Sequence, residues 1–243
     1  MVTRILAHRG ASHELPENTM EAFELAKQQG ADGFELDVHL SADGVVVVTH
    51  DETLERVSNG TGFVNSHKLA DLQKLSFSKL KPEIAPCKIP TLAEVYDMVA
   101  KTNMIINVEL KTTMFLYPKL PAKLINLANE YKMQERVIYS SFNHQSLRDI
   151  KELDSRAEIG LLYMENLLDP WVYASHVNAV AIHPYYHVLK GYPCQVKPCH
   201  ENKIKVNTWT VDDTADIDLM LKIGVDMLIT NKPAEALARR ALI

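Results

Sequence analysis

Short apolar runs alternate with longer amphipathic stretches from one end of the chain to the other. The runs at 4–8, 34–40, 104–110, 137–140, 159–163, 179–183, 204–209 and 227–230 read as buried strands. Most are brief and apolar, while 34–40 alternates strictly, with Phe34, Leu36, Val38 and Leu40 on one face and Glu35, Asp37 and His39 on the other. The stretches between them carry helical spacing and helix-end signals. Asn18 followed by Glu21 has capping-box spacing, with Gly30 placed to stop that helix, and Thr91 with Glu94 opens another. Helices are further expected over 120–132 and 144–153, after Asp169-Pro170, over 213–223 with Gly224 as the stop, and from Pro233 onward. A β-then-α beat repeated over eight strands in a chain of 243 residues predicts a closed (β/α)8 TIM barrel, an α/β fold. An open doubly wound sheet is the rival architecture.

One region breaks the rhythm. Asp43-Gly44 is a hairpin-type turn, and 45–49 is an extra strand ending on His50-Asp51. From 52 to about 90 the chain holds a Ser58-Asn59-Gly60-Thr61-Gly62 segment, an amphipathic piece around Leu69, Leu72 and Leu75, and several prolines. This predicts a small insertion over about 41–90, after the second strand, within one catalytic domain spanning 1–243. Residues 185–200 also look unlike a simple helix.

In a barrel of this type, chemistry gathers at the C-terminal ends of the strands. Those ends carry His8 and Arg9, Glu35 and Asp37, Glu109 and Lys111, Trp209 and Asn231, with His50-Asp51 ending the extra strand. Glu35/Asp37 and Glu109/Lys111 are i, i+2 pairs, so each pair points to the face opposite its apolar neighbours. Three inward carboxylates repel one another unless neutralised. A divalent cation does this, and carboxylate oxygens favour hard ions such as Mg²⁺, Ca²⁺ or Mn²⁺. The competing reading is a buried salt-bridge network with Arg9 and Lys111 as the partners.

Ten histidines are present, so a lone one says little. Those at 13, 67, 144, 176 and 200 fall in expected loops or helices and receive no role, while His39 shares the face of Glu35 and Asp37 further out. His8 and His50 stand apart because each ends a strand, and a histidine pair near neutral pKa can serve as general base and general acid. Arg9 offers a forked donor matched to phosphate and Lys111 a point charge. Metal, arginine, lysine and two histidines together describe phosphoryl transfer.

Composition narrows the field. The chain is 47% hydrophobic and 23% charged, ordinary for a globular protein. A net charge of −5 without a dense basic run argues against nucleic-acid binding. No apolar run approaches the ~20 residues of a membrane span, and His8-Arg9 interrupt the only N-terminal apolar run, so a cytoplasmic address is expected. The three cysteines, Cys87, Cys194 and Cys199, are expected to be reduced and structural, since no second pair sits at zinc-finger spacing.

Five motifs in order then coincide with a known family. His8-Arg9-Gly10 with Pro16-Glu17-Asn18-Thr19, Glu35-Leu36-Asp37-Val38, His50-Asp51 with Leu54 and Arg56, Glu109-Leu110-Lys111, and Trp209-Thr210-Val211 resemble the glycerophosphodiester phosphodiesterases. The resemblance implies a (β/α)8 barrel with a small insertion after the second strand. It also implies hydrolysis of small glycerophosphodiesters, such as glycerophosphocholine, to glycerol 3-phosphate and an alcohol. On this likeness Glu35, Asp37 and Glu109 hold one divalent ion, Mg²⁺ or Ca²⁺; His8 and His50 are the acid/base pair; Arg9 and Lys111 contact phosphate; and Trp209 lines the mouth, placed to pack on the glycerol. His8 is assigned as base and His50 as acid. The attacking group is the glycerol 2-hydroxyl, giving a cyclic phosphate that water opens, or water itself. Glu17 is expected to brace the site from behind. The family's usual Thr-Asp-x-Pro is here Thr230-Asn231-Lys232-Pro233, with Asn231 expected to cap the last helix. Two rival functions remain: a phospholipase D acting on lysophospholipids, with Phe115-Leu116-Tyr117 as an apolar rim, and a non-catalytic phosphodiester-binding barrel.

Overall fold

The computed structural model describes residues 2–243. Its strands are β1 (Arg4–His8), β2 (Gly33–Leu40), β3 (Val46–Val48), β4 (Ile105–Leu110), β5 (Val137–Ser141), β6 (Glu158–Tyr163), β7 (Ala181–Pro184), β8 (Lys205–Thr208) and β9 (Met227–Thr230). All but β3 run parallel, in the order β1-β9-β8-β7-β6-β5-β4-β2, and β1 pairs with β2 to close the ring. The closed eight-stranded barrel expected from the beat is therefore the fold, and the open sheet is set aside. The barrel strands are largely buried on both faces, which is why most read as apolar runs, whereas β2 alternates strictly because its inward face carries Glu35, Asp37 and His39. Ile5, Phe34, Leu36, Val108 and Ile159 point outward into the layer shared with the helices. Leu6, Ile138, Met227 and Ile229 fill the barrel interior.

Above that apolar floor the interior turns polar. Asn107 Nδ2 donates to Ser140 Oγ at 2.9 Å, and Asn207 Nδ2 lies 2.9 Å from His183 Nε2. Burial pushes His183 down to about 3, so its ring is neutral. The ring lies where a side chain at position 160 would stand: a Cβ on Gly160 would come within 2.1 Å of His183 Nε2. A glycine inside a strand pattern signals this kind of close approach.

The insertion has its own small core of Val47, Leu54, Val57, Val64, Leu72, Phe77 and Ile89. β3 pairs antiparallel with the end of β2, with Val38 opposite Val48, so the hairpin expected at Asp43-Gly44 forms. This delivers His50 and Asp51 back over the barrel mouth. The expected box of Thr91 and Glu94 is present, with both reciprocal bonds made, and such a cap contributes about 1 kcal/mol.

Three expected caps differ. The helix Met20–Gln28 is capped by Thr19, whose hydroxyl accepts from the Ala22 N–H at 3.3 Å, and not by Asn18. Asn18 has been drawn away, because its amide donates to Asp37 Oδ2 at 2.9 Å. The last helix, Pro233–Arg240, has Lys232 at its cap position and not Asn231, which faces the site instead. Asp169 stands at the cap position before Pro170, but its side chain makes no capping bond. All three cysteines are free; Cys87 and Cys199 are buried, as expected of structural cysteines, while Cys194 is exposed. Segment 185–200 resolves into two short helices, Tyr186–Gly191 and Val196–Glu201, joined by a 3₁₀ turn. Among the described residues, no helix is long and apolar enough to cross a membrane.

Candidate active site

The eight residues singled out by the sequence lie at the C-terminal mouth of the barrel, on or just beyond β1, β2, β3, β4 and β8. Register sets their level: His8 pairs with Glu35 across β1–β2, and Asp37 with Glu109 across β2–β4. One carboxylate oxygen from each of Glu35, Asp37 and Glu109 lies within 4.8 Å of the others, so the three could hold a metal ion together.

Cations surround this cluster. Arg9 Nε stands 3.2 Å from Asp37 Oδ2, and Lys111 Nζ is 2.8 Å from Glu109 Oε1 and 3.8 Å from Asp37 Oδ1. Burial works against the Asp37 carboxylate, but Arg9, His50 and Lys111 outweigh it and hold its pKa below the ordinary range. Glu35 goes the other way. Its burial, with Asp37 and Glu109 beside it, pushes its pKa well up. Burial likewise raises Glu109, against the pull of Lys111. Arg9 and Lys111 remain protonated, because their carboxylate neighbours more than offset burial.

A salt-bridge network therefore exists, but it does not saturate the carboxylates. Glu35 Oε1 and Asp37 Oδ1 are buried without a hydrogen-bond partner. Two buried carboxylate oxygens left open on the same face of β2, with Glu109 beside them on β4, suit a hard divalent cation better than a closed ion-pair network.

Each histidine is fixed by a partner on its far nitrogen. His8 Nδ1 lies 2.7 Å from Asn231 Oδ1, an acceptor, so Nδ1 carries the hydrogen and Nε2 carries the lone pair. Asn231 is itself oriented: its N–H donates to Asp212 Oδ1 at 2.8 Å, its amide nitrogen bonds Asp212 Oδ2 at 2.5 Å, and Ser12 Oγ lies 2.7 Å from its Oδ1. Burial, reinforced by Arg9, brings His8 down to about 4, so the ring is neutral at neutral pH. His50 Nδ1 donates to Asp51 Oδ1 at 2.6 Å, which turns Nε2 toward Lys111 Nζ, 3.2 Å away.

A chain of ion pairs ties these parts together. Asp51 binds Arg56, Arg56 binds Glu17, and Glu17 binds Arg9 at 2.9 Å. The bracing expected of Glu17 is thus present, and it couples the insertion to the loop after β1. Burial opposes the Asp51 carboxylate, but bonds from Arg56 and His50 bring it down to about 2. His39 stays outside the cluster, buried between the His50 carbonyl and the Tyr117 hydroxyl. Trp209 stands just beyond β8, its indole N–H donating to the His183 carbonyl at 2.8 Å.

Sequence reasoning missed several contributors. Asn231, Asp212 and Ser12 orient His8, Asn18 holds Asp37, and His13 and Lys81 help line a polar cavity of about 280 Å³ over His8 and Arg9. Only the Asn18 and Asn231 positions carried a signal, as polar residues inside or beside motifs, and that signal was read as capping.

Residues 8–235 match the model of the glycerophosphoryl diester phosphodiesterase family. The chain belongs to that family. A glycerophosphodiester phosphodiesterase of Caldanaerobacter subterraneus subsp. tengcongensis is 44% identical over 96% of both chains. Another, from Bacillus altitudinis, is 35% identical over 98% of both. A phosphodiesterase of Oleispira antarctica, solved with the product sn-glycerol-3-phosphate, superposes with a TM-score of 0.91 at 28% identity, covering 98% of this chain and 96% of that one. Family membership carries the enzyme class read from the motifs, a phosphoric diester hydrolase.

Proposed function

We propose that the chain hydrolyses small glycerophosphodiesters to sn-glycerol 3-phosphate and an alcohol, with one bound divalent ion, Mg²⁺ or Ca²⁺. The observation that carries this reading is the convergence at one mouth of three carboxylates, two of them with an open buried oxygen, two histidines with inward Nε2 atoms, and two cations. The product-bound relative from Oleispira antarctica supports the same substrate class. A water-soluble substrate of this kind is compatible with the cytoplasmic address expected from the sequence. The insertion supplies His50, so we take the barrel and residues 41–90 as one catalytic unit.

In this reading Glu35, Asp37 and Glu109 hold the ion, which when bound draws negative charge from the phosphodiester oxygens. Arg9 and Lys111 bind the remaining charge of the phosphate. His8, neutral and with its lone pair on Nε2, takes the proton of the attacking hydroxyl as the new P–O bond forms. His50 gives a proton from Nε2 to the leaving alkoxide as the other P–O bond breaks. Asn231 keeps His8 in the tautomer with its lone pair on Nε2, and the Asp51 carboxylate stabilises the doubly protonated His50 that this step needs. Trp209 borders the substrate at the mouth.

Excess chelator is expected to lower glycerol 3-phosphate release by about 10²-fold or more, comparable to losing a principal electrostatic stabiliser, with recovery on adding Mg²⁺ or Ca²⁺. A coupled glycerol 3-phosphate assay reads this out. Product formation indifferent to chelator would remove the ion from the mechanism.

A further inference from the structure

A second cavity, of about 400 Å³, opens at the mouth over β5 and β6. In strand order it lies beyond β4 and His50, away from the polar cavity over His8 at β1 and β9. Phe142, His144, Tyr173, Leu168 and Pro170 help line it, Glu165 supplies a carboxylate, and its lining holds no lysine or arginine. Phe142 joins it to the active site, packing edge-on against Trp209 with ring centroids 5.5 Å apart.

Two polar side chains of this cavity, His144 and Tyr173, are already committed, and the hydroxyl of Tyr163, which also lines it, is buried without a partner. His144 Nε2 donates to the Leu162 carbonyl at 2.9 Å, which leaves Nδ1 to accept the Tyr173 hydroxyl hydrogen at 3.2 Å. His144 and Tyr173 therefore offer an anion no free donor. What remains are exposed aromatic surfaces on Phe142 and Tyr173 and the Glu165 carboxylate, one oxygen of which accepts from the Met164 N–H at 3.1 Å. Aromatic walls with a carboxylate and no competing cation attract a large, weakly hydrated cation.

Resting on the diesterase reading above, we propose that this cavity is the subsite for the leaving alcohol and selects a quaternary ammonium alcohol of the choline type. Such a group is held by the ring faces, whereas a primary ammonium loses more hydration on entering. The polar cavity beside His8, lined by Ser12, Asp212 and Asn231 among others, is left for the glycerol hydroxyls. The phosphate then lies between the two, with His50 on the side of the leaving alcohol.

The test compares kcat/KM for glycerophosphocholine and glycerophosphoethanolamine, which differ only in the methyl groups on nitrogen, in the parent and in Phe142→Leu, Tyr173→Leu and Glu165→Gln. The choline ester is expected to be favoured by about tenfold in the parent, and the ratio to fall toward one in each variant. Equal kcat/KM for the two esters in the parent would overturn the proposal. So would a ratio that survives all three substitutions. A 1-acyl lysophosphatidylethanolamine preferred over glycerophosphoethanolamine, with Phe142→Leu abolishing the preference, would overturn it in favour of an acyl-chain pocket. Failure of the parent to release glycerol 3-phosphate from any ester would instead overturn the diesterase reading beneath it.

Discussion

Alanine in place of His8 or of His50 is expected to lower kcat by about 10²–10⁴-fold, the usual worth of a positioned general acid or base. The two effects should not multiply in the double variant, since both groups act in one proton-transfer sequence. Both substitutions should leave the barrel folded. His8 lies at the end of β1, where its ring bonds Asn231, and Ser12 remains to partner Asn231 Oδ1. His50 lies beyond β3 and is only partly buried. Steady-state kinetics beside thermal unfolding separates the effects: turnover falls while the midpoint changes little. A near-parental rate in either variant would remove that histidine from proton transfer.

Gly33→Ala is expected to cost about 3 kcal/mol or more of stability, among the largest effects of a single methyl group. Gly33 opens β2 and pairs with Ile105 of β4. A Cβ there would stand 1.9 Å from the Ile105 carbonyl oxygen and 2.8 Å from its carbon, both backbone atoms that no rotamer change can move. The two strands would have to separate at their N-terminal ends. They also carry Asp37 and Glu109 opposite each other, and Glu35, so the carboxylate cluster loosens with the pairing. Urea unfolding measures the loss. A cost below about 1 kcal/mol would mean that β2 and β4 can slide apart without penalty, contrary to the close packing of barrel interiors.

The strand ends were legible in the sequence because a parallel barrel buries both faces of each strand. Such a strand shows as an apolar run, and a charged residue at its end stands out. That is how Glu109, Lys111, His8 and Arg9 came to be read as one group, which Glu35 and Asp37 join from the polar face of a strictly alternating strand. His50 was legible for the same reason, at the end of the insertion's strand. What stayed hidden depends on partners far away along the chain. Asn231 is 223 residues from His8, and nothing in its neighbours distinguishes an amide that orients an imidazole from one that caps a helix. Asn18 was misread in the same way: Thr19 was free to cap, and the Asn18 amide was needed on Asp37. His183 and Gly160 form a pair inside the barrel whose logic is shape alone, and composition and periodicity carry no trace of it.

The substitution of Asn231 for the family's usual aspartate has a local consequence. Asp212 stands behind Asn231 and grips its amide rather than the imidazole, while the carboxylate beside the His8 ring is Glu35, 3.8 Å from Nε2. His8 thus faces an amide oxygen, which fixes the tautomer without adding charge beside the ring.

The most direct test of the central claim is the identity of the product. Phosphorus NMR of glycerophosphocholine incubated with the metal-loaded protein should show loss of the diester and growth of sn-glycerol 3-phosphate, with choline as the other product. Phosphocholine appearing instead, or a diester that persists with Mg²⁺ and Ca²⁺ both supplied, would contradict the account.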